Sequence, residues 1–180
     1  LGVVLDCVIG DPRGMPHIVR WVGRLVAVGE RWVVDFMGRT VAAGALLWLG
    51  VTGVCLVGYW ALAAAAAAIS PWLKIALDAL IVFQCLAFRD LVEHVDAVRL
   101  ALGESLEAGR KRVSWIVGRD TDRMERDDVC RAAIESGAEN LNDAVIAPLF
   151  WAALLGPVGC LVFRISNTLD AMVGHRDARY

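Results

Sequence analysis

The sequence predicts an all-α membrane protein in which several helices cross the bilayer and a polar helical region lies between two of them. Of the 180 residues, 58% are hydrophobic and 21% are charged, and the mean hydropathy is +0.57. The apolar residues form long uninterrupted blocks, which is typical of a polytopic membrane protein. A soluble domain would instead show helices with a polar face, and residues 40–69 show almost none. We therefore expect a single membrane domain over residues 1–180.

The N-terminal segment, residues 1–39, is expected to lie at the membrane interface. It lacks the basic start and the cleavage site of a signal peptide. Glycines and prolines interrupt the stretch 10–16, and residues 17–39 follow the pattern of an amphipathic helix. Trp21 and Trp32 stand among arginines in that helix, as is typical of helices that lie along a lipid surface.

Three apolar stretches are predicted to enter the membrane. Residues 41–69 contain no charge and are long enough to cross a bilayer with some tilt. Ser70-Pro71 then breaks the helix, and residues 72–88 form a second, less apolar span, so the two are expected to form a hairpin. The third stretch, residues 144–163, is divided by a Gly-Pro pair, which predicts either a kinked span or a re-entrant hairpin.

Residues 89–143 form a polar helical insert between the second and third spans, and residues 164–180 form a polar tail. Asp127-Asp128 precede a regular run, and acidic residues favour a helix start. Arginine is concentrated before the first span and in the insert, so the positive-inside rule places both in the cytoplasm of a multi-pass cell-membrane protein. The side on which the tail lies depends on the broken third stretch.

Charge and cysteine content bear on several classes of function. The net charge of −2 is near neutral and argues neither for a nucleic-acid-binding surface nor for an acidic tail. The 5 cysteines form no CxxC pair, so no zinc, iron–sulfur or disulfide framework is expected. Arginine outnumbers lysine, and its planar guanidinium suits carboxylates and phosphates, although GC-rich coding would give the same bias.

A first polar cluster lies in the N-terminal segment, directly beside apolar residues, where charged groups are usually functional. Asp11 is held on a Gly-Asp-Pro turn, while His17 and Arg20 are three residues apart and share a helix face. These residues are candidates for catalysis. A helix cap with a solvated basic face explains them as well.

A second polar cluster follows the second span. Arg89 and Glu93 are four residues apart, as are Asp90 and His94, so each pair is adjacent on a helix. Two ion pairs explain this segment adequately. A histidine oriented by a carboxylate is also suited to accept a proton or to bind a metal.

A third polar cluster, just before the third apolar stretch, is the richest. Spacings of four place Glu135, Glu139 and Asp143 in one column of a helix, where like charges repel. Either nearby arginines or a divalent metal carrying a nucleotide would offset that repulsion, and oxygen ligands suit magnesium. If the chain returns to the same side, the polar residues that complete the site are Asn140, Asn167, Asp170 and Arg176.

Five ordered stretches of the chain carry a family resemblance: GDPRGMPHIVR, FRDLVEH, VSWIVGRDT, AAIESGAENLNDAVIAPLFW and RISNTLDAMVGHRDARY. In this order they resemble the motifs of the CobD/CbiB family of cobalamin biosynthesis. The resemblance covers nearly the whole chain and implies an integral membrane ligase that uses ATP and Mg²⁺. It would condense adenosylcobyric acid with aminopropanol, or aminopropanol phosphate, to give adenosylcobinamide or its phosphate. The family continues beyond the position of Tyr180, so we expect its C-terminal part to be missing here.

On this resemblance, residue roles are expected as follows. The metal would be held by Glu139 and Asp143. The catalytic candidates are His17, His94, Asp11 and Arg20, with one of the two histidines accepting a proton from the attacking amine. The candidates for binding substrate or phosphate are Arg89, Arg119, Asp120, Asn140, Arg164, Asn167, Asp170 and Arg176. Ala144 stands where the family has a glycine, which removes a site of close backbone approach.

The expected partners are the corrinoid, ATP, aminopropanol or its phosphate, and membrane lipid, with no nucleic acid. A second copy of the chain or another membrane protein of the corrin pathway is a further candidate partner. A non-catalytic membrane sensor or scaffold with the same fold is the alternative function. A transporter ranks last, because transporters place ionisable groups near the bilayer centre and here they lie at the ends of the spans.

Overall fold

The computed structural model describes residues 1–10 and 17–174, and every regular element within those ranges is helical. The predicted all-α class is confirmed. In chain order the elements are α1 (Gly2–Ile9), α2 (Ile18–Met37), α3 (Val41–Ile69), α4 (Pro71–Cys85), α5 (Phe88–Glu104), α6 (Leu106–Val113), α7 (Arg126–Leu141), a π-helical turn (Asn142–Ile146) and α8 (Ala147–Val173).

Helices α2, α3, α4 and α8 pack against one another as an apolar bundle. Two helical segments in the described part of the chain are long and apolar enough to cross a membrane: α3, and Arg126–Val173, which includes α7, the π-helical turn and α8. Only 22% of the apolar window of each is buried within the protein, whereas the core helix of a soluble protein would be mostly buried. The bundle core consists of Val22, Val26, Leu47, Val51, Tyr59, Ala63, Leu161, Ile165 and Leu169.

Helices α3 and α4 pack together as a hairpin around Ser70, whose hydroxyl accepts a hydrogen bond from the Trp72 N–H at 3.2 Å. Within the hairpin the Tyr59 hydroxyl donates to Asp78 Oδ1 at 2.9 Å, and Asp78 also pairs with Lys74. Helix α4 has only 15 residues, about 22 Å at 1.5 Å per residue. It is therefore shorter than the apolar thickness of a bilayer, about 30 Å, and the second predicted span is not among the helices long enough to cross.

Helix α8 turns sharply at Gly156, whose φ of 64° and ψ of −154° lie outside the helical range. This positive φ favours glycine, and Pro157 begins the second arm of the helix. A Cβ atom added to Gly159 would lie 2.3 Å from the carbonyl oxygen of Trp151. Residues eight apart in a straight helix are separated by about 12 Å. The two arms of α8 therefore contact each other across the turn.

The predicted polar tail is not separate from the third apolar stretch, because α8 continues without interruption from Pro157 to Val173. Leu161, Ile165 and Leu169 recur at four-residue intervals and are buried in the bundle core. This apolar row holds the helix against α2 and α3 although polar residues lie between its members. The boundary expected at residue 163 is absent.

Helices α5, α6 and α7 pack around a second, smaller core and form what we call the polar region. A capping box starts α7: the Glu125 side chain accepts from the Asp128 N–H, and the Asp128 carboxylate accepts from the Glu125 N–H at 3.2 Å. The acidic pair predicted to start a helix thus lies in the first turn of α7. The core of the polar region consists of Val98, Leu102, Val113, Val129, Ala132 and Ala133.

Backbone hydrogen bonds join the polar region to the rest of the protein near the start of α5. Asp6 of α1, 2% exposed, accepts from the Phe88 N–H through Oδ2 at 2.9 Å. The Ala87 N–H donates to the Ala144 carbonyl oxygen at 3.1 Å. A π-helical turn disturbs the regular helical ladder, which leaves the Ala144 carbonyl available to this loop.

Candidate active-site cleft

Two adjoining cavities lie between α5, α7 and the segment 115–119. The larger has a volume of about 430 Å³ and extends from α5 to the π-helical turn. The smaller has a volume of about 280 Å³ and lies between the segment and α7. Both are bordered by Ile116, Val117, Ser136 and Asn140, so they lie side by side along α7, and we call the two together the α5–α7 cleft.

Two polar residues of α7, one turn apart, fix the wall that the cavities share. The Ser136 hydroxyl donates to the Ile116 carbonyl oxygen at 2.7 Å, and Ser136 is only 7% exposed. Asn140 Nδ2 donates to the Ser136 carbonyl oxygen at 2.8 Å. Because the partner of the hydroxyl is backbone, Ser136 sets the distance between the segment and α7.

His94 borders the larger cavity and has a defined tautomer. Its Nδ1 lies 2.7 Å from the carbonyl oxygen of Asp90. A carbonyl oxygen only accepts hydrogen bonds, so Nδ1 carries the proton and the neutral ring keeps its lone pair on Nε2. The partner predicted for His94 was the Asp90 carboxylate, and the structure shows the backbone carbonyl of Asp90 instead. The arrangement suits proton acceptance at Nε2.

Charged side chains border the smaller cavity. Arg119 Nη2 lies 2.7 Å from Glu135 Oε2, and both side chains are about half exposed, at 54% and 55%. Exposed ion pairs of this kind contribute at most about 1 kcal/mol, so an anionic ligand competes readily for Arg119. Glu139, one turn beyond Glu135, makes no hydrogen bond or ion pair with another described residue. The cavity thus offers both a cation and a carboxylate.

Asp120 lies beside the cleft and not in it. It borders a neighbouring cavity of about 480 Å³, which also contacts Arg119. Its Oδ1 accepts from the Asp122 N–H at 3.0 Å, a local turn typical of aspartate. The main function visible for Asp120 is to shape the loop that carries Arg119.

Arg89 belongs to a structural contact between α1 and α5. Its Nε donates to Glu93 Oε1 at 2.8 Å, as the four-residue spacing predicts, and its Nη1 donates to the Val8 carbonyl oxygen. A Cβ atom at Gly10 would lie 2.9 Å from Arg89 Cδ, so the end of α1 packs directly on this side chain. Arg89 is not among the residues that border the α5–α7 cleft.

Of the N-terminal candidates, the two that the structure describes, His17 and Arg20, do not border the cleft. His17 is the N-cap of α2, and its Nδ1 accepts from the Val19 N–H at 3.3 Å, which agrees with the capping interpretation. Arg20 is exposed on the first turn of α2. Asp11 lies outside the described residues, as does Arg176 near the other end of the chain.

The described candidates beyond α7, which are Asp143, Arg164, Asn167 and Asp170, do not border the cleft either. Asp143 falls in the π-helical turn, and its Oδ1 accepts from Asn142 Nδ2 at 2.9 Å. Arg164 donates to the Cys85 carbonyl oxygen at the end of α4. Asn167 and Asp170 lie on the second arm of α8, whose core residues pack in the bundle. The expectation that Asp143, Asn167 and Asp170 share one cleft with Glu139 is not met.

The structure therefore brings together four of the predicted site residues, one of which, Asn140, borders both cavities. His94 and Asn140 border the larger cavity, and Arg119, Glu139 and the same Asn140 border the smaller one. Within residues 1–10 and 17–174, no group of three or more His, Cys, Asp or Glu side chains is placed to hold a metal ion by itself.

Sequence reasoning missed Ser136 and Trp115 as residues of the site. Ser136 stands among small residues of α7, and such a small polar residue one turn from Asn140 is a signal for close approach of another backbone. Trp115 is 64% exposed in a segment rich in arginine, where an exposed aromatic side chain suggests a ligand or a lipid surface.

Comparison with known proteins places the whole chain in one family. The family model described as "CobD/Cbib protein" matches residues 1–180. Two proteins named "Cobalamin biosynthesis protein CobD" are similar to it: that of Klebsiella pneumoniae is 40% identical and that of Citrobacter koseri 39% identical. "Cobalamin biosynthesis protein CbiB" of Salmonella typhi is 38% identical. No solved structure matches the chain significantly.

Each of these alignments covers 98% of this chain and 57% of the relative, so the chain spans little more than half the length of the curated relatives it matches. The match nevertheless includes every helix described above, together with the cleft between α5 and α7. The chain therefore belongs to the CobD/CbiB protein family.

Proposed function

We propose that this chain carries the active-site cleft of an ATP-dependent carbon–nitrogen ligase of cobalamin biosynthesis. The reaction joins the amine of aminopropanol, or of aminopropanol phosphate, to a carboxylate of adenosylcobyric acid and gives adenosylcobinamide or its phosphate. Family membership supports the pathway, since the relatives are named as cobalamin biosynthesis proteins. Because the relatives are longer, the activity is proposed for the whole protein.

The observation that carries the proposal is the meeting of a proton acceptor, a guanidinium and a carboxylate on one cleft. His94 borders the larger cavity, and Arg119 and Glu139 border the smaller one. An amide ligase needs these three kinds of group: a base for the amine, a cation for phosphate, and an oxygen ligand for the metal that accompanies ATP.

The proposed chemistry has two steps. A carboxylate oxygen of the corrinoid attacks the γ-phosphorus of ATP, the bond to the β-phosphate oxygen breaks, and ADP leaves. The amine nitrogen then attacks the acyl carbon, the bond from that carbon to the phosphate oxygen breaks, and inorganic phosphate leaves. Arg119 is placed to stabilise charge on the phosphoryl oxygens. His94 Nε2 accepts the proton that the amine loses, because Nδ1 is protonated against Asp90.

Magnesium fits this cleft only together with a nucleotide. Mg²⁺ in nucleotide sites is commonly held by one or two carboxylates, several waters and the substrate phosphates. Glu139 would supply one such carboxylate at the smaller cavity, and waters and phosphate oxygens would be the remaining ligands. Mg²⁺ bound there would neutralise charge on the phosphates. Glu135 is already paired with Arg119, so Glu135 is not a metal ligand in this proposal.

The cleft is proposed to face the cytoplasm from the inner or plasma membrane. The polar region that forms it is rich in arginine, and basic segments are retained on the cytoplasmic side. ATP and phosphorylated aminopropanol are also cytoplasmic metabolites, so this orientation gives both substrates direct access to the cleft.

Product formation by the full-length protein tests the proposal. The protein in lipid nanodiscs would be incubated with adenosylcobyric acid, Mg-ATP and either aminopropanol or its phosphate, and the amide measured by mass spectrometry. Glu139→Gln and His94→Gln are each expected to reduce the rate by about 100-fold. Glu104→Gln, an exposed carboxylate outside the cleft, serves as the matched control and should keep the full rate.

Two results would count against the ligase. If the wild-type protein makes no amide with either acceptor, the reaction is wrong and a non-catalytic sensor or scaffold becomes the better explanation of the fold. If product forms and both variants keep the wild-type rate, the reaction stands but takes place outside the α5–α7 cleft.

A further inference from the structure

We propose that one purine nucleoside triphosphate occupies both cavities of the cleft. Its base lies against Trp115 in the larger cavity, and its phosphates lie beside Arg119 in the smaller one. This inference rests on the proposed use of ATP and adds the position and orientation of the nucleotide. Trp115 thereby becomes a binding residue that the sequence did not indicate.

The two cavities differ in chemical character in the way that the two ends of a nucleotide differ. The larger one is bordered mainly by apolar groups, among them Leu91, Val95 and the indole of Trp115. The smaller one is bordered by the charged side chains of Arg119, Glu135 and Glu139. A ligand that fills both would be weakly polar at one end and would carry a cation-bound polyphosphate at the other, as a magnesium nucleotide does.

Trp115 has the geometry of a stacking platform. The guanidinium carbon of Arg112 lies 4.4 Å from the centre of the indole ring, a cation–π contact that holds the ring in place. The side chain remains 64% exposed and is not part of the core of the polar region. Aromatic rings in such positions stack on nucleobases without needing a particular hydrogen-bond pattern.

The wall between the cavities suits the sugar of the nucleotide. Asn140 uses its Nδ2 to donate to Ser136, and no described residue donates to its Oδ1. That oxygen is an acceptor for a ribose hydroxyl at the junction. The larger cavity, at about 430 Å³, has room for a nucleobase and sugar, whereas a corrin ring with its side arms is larger than this space.

Binding of two probes to the full chain in nanodiscs tests the base site and the phosphate site separately. Mg·AMP-PNP has a base and three phosphates, and Mg-tripolyphosphate has only the phosphates. Trp115→Ala should weaken Mg·AMP-PNP by about tenfold and leave tripolyphosphate unchanged, since base stacking contributes on that order. Arg119→Gln should weaken both probes. Trp115→Phe keeps an aromatic ring and should restore most of the Mg·AMP-PNP affinity.

Trp32→Ala is the matched control, because Trp32 is 77% exposed on α2 and does not border the cleft. It should change neither affinity. Unchanged Mg·AMP-PNP binding in Trp115→Ala, with Arg119→Gln still impaired, overturns the stacking site and leaves the proposed ligase intact.

Two further outcomes also overturn the inference. One is quenching of the Trp115 fluorescence by brominated lipid, taken as the difference between the wild type and Trp115→Phe, since it would make this residue a membrane anchor. The other is failure of both probes to bind the wild type. Formation of amide by the same preparation would then show that ATP is used elsewhere, and absence of amide would remove the ligase as well.

Discussion

The apolar bundle and the polar region are stabilised in different ways. The bundle has the larger apolar core, formed by side chains from its helices, and side chains also bond to side chains between them, as Trp48 does to Ser166 and Tyr59 to Asp78. The polar region has a smaller core and depends on side chains that donate to backbone carbonyls: Arg110 to Met124 at 2.6 Å, and Arg126 to Leu102 at 2.9 Å. Substitutions in the bundle should therefore mainly lower the free energy of unfolding, and substitutions in the cleft should mainly weaken ligand binding.

The same difference separates two arginines that look equivalent in the sequence. Arg164, where α8 approaches the end of α4, donates to the Cys85 carbonyl oxygen and serves the packing of α8 against α4. Arg119 is 54% exposed, and its partner Glu135 is equally exposed. An arginine that donates to a backbone carbonyl has a structural role, whereas an arginine paired with an exposed carboxylate remains available to a ligand.

The largest expected effect is that of Gly159→Ala in the bundle. The added Cβ would lie 2.3 Å from the Trp151 carbonyl oxygen and 2.8 Å from Leu155 Cβ, so the two arms of α8 must separate. We expect a loss of about 3 kcal/mol in the free energy of unfolding, measured by denaturant titration in detergent. Gly53→Ala on α3, where a Cβ meets nothing within 4 Å, should be neutral. Equal effects of the two substitutions would refute the close contact between the two arms of α8.

Asp6→Ala tests the junction between α1 and α5. It removes the acceptor of the Phe88 N–H in a part-buried hydrogen bond, and the loss of the buried Asp6 carboxylate should destabilise the protein by about 2 kcal/mol. Asp6→Asn keeps an oxygen acceptor and should cost about half as much. Asp35→Ala, at an exposed position of α2, provides the control, and denaturant titration in detergent measures the free energy of unfolding of all three variants. A neutral Asp6→Ala would mean that this bond does not hold α5.

Ser136→Ala acts on the cleft more than on the fold. Loss of the hydrogen bond to the Ile116 carbonyl should lower the free energy of unfolding by about 1 kcal/mol. Because the segment that carries Trp115 would then move away from α7, Mg·AMP-PNP affinity should fall as well. Ser114→Ala removes a bond only within its own turn, to the Lys111 carbonyl at 2.9 Å, and should keep both values.

The smallest expected effect is the coupling between Arg119 and Glu135. A double-mutant cycle with Arg119→Gln and Glu135→Gln should give a coupling energy in unfolding below about 1 kcal/mol, decreasing further with added salt. A coupling of several kcal/mol would place Arg119 with Arg164 as a structural residue and would leave the smaller cavity without its phosphate-binding group.

The apolar part of the fold follows readily from the sequence. An uncharged stretch defines α3 over the predicted residues, Ser70 ends it, and the acidic residues before Val129 start α7. Hydropathy did not indicate that α4 ends at Cys85, because the following Leu86 is apolar but extended in conformation. The continuation of α8 to Val173 was also missed, since its apolar row is diluted by polar residues.

The cleft was only partly predictable for a different reason. His94, Arg119, Glu139 and Asn140 were selected by charge and spacing, and they do border it. The column predicted from Glu135 to Asp143 assumed a regular helix, and the π-helical turn interrupts that register at Asp143. The conformation of the segment around Trp115 cannot be predicted from sequence periodicity, because it depends on a hydrogen bond from Ser136, which lies in another element.

The hydrogen bond from Ala87 to Ala144 couples the cleft to the assembly of the apolar bundle. Ala87 follows the exit of α4, and Ala144 lies where the chain enters α8, so both ends of this bond are positioned by helices of the bundle. Both alanines also border the larger cavity. A chain in which α4 and α8 have not packed together would lack this backbone bond, so the larger cavity should form only after the bundle has assembled.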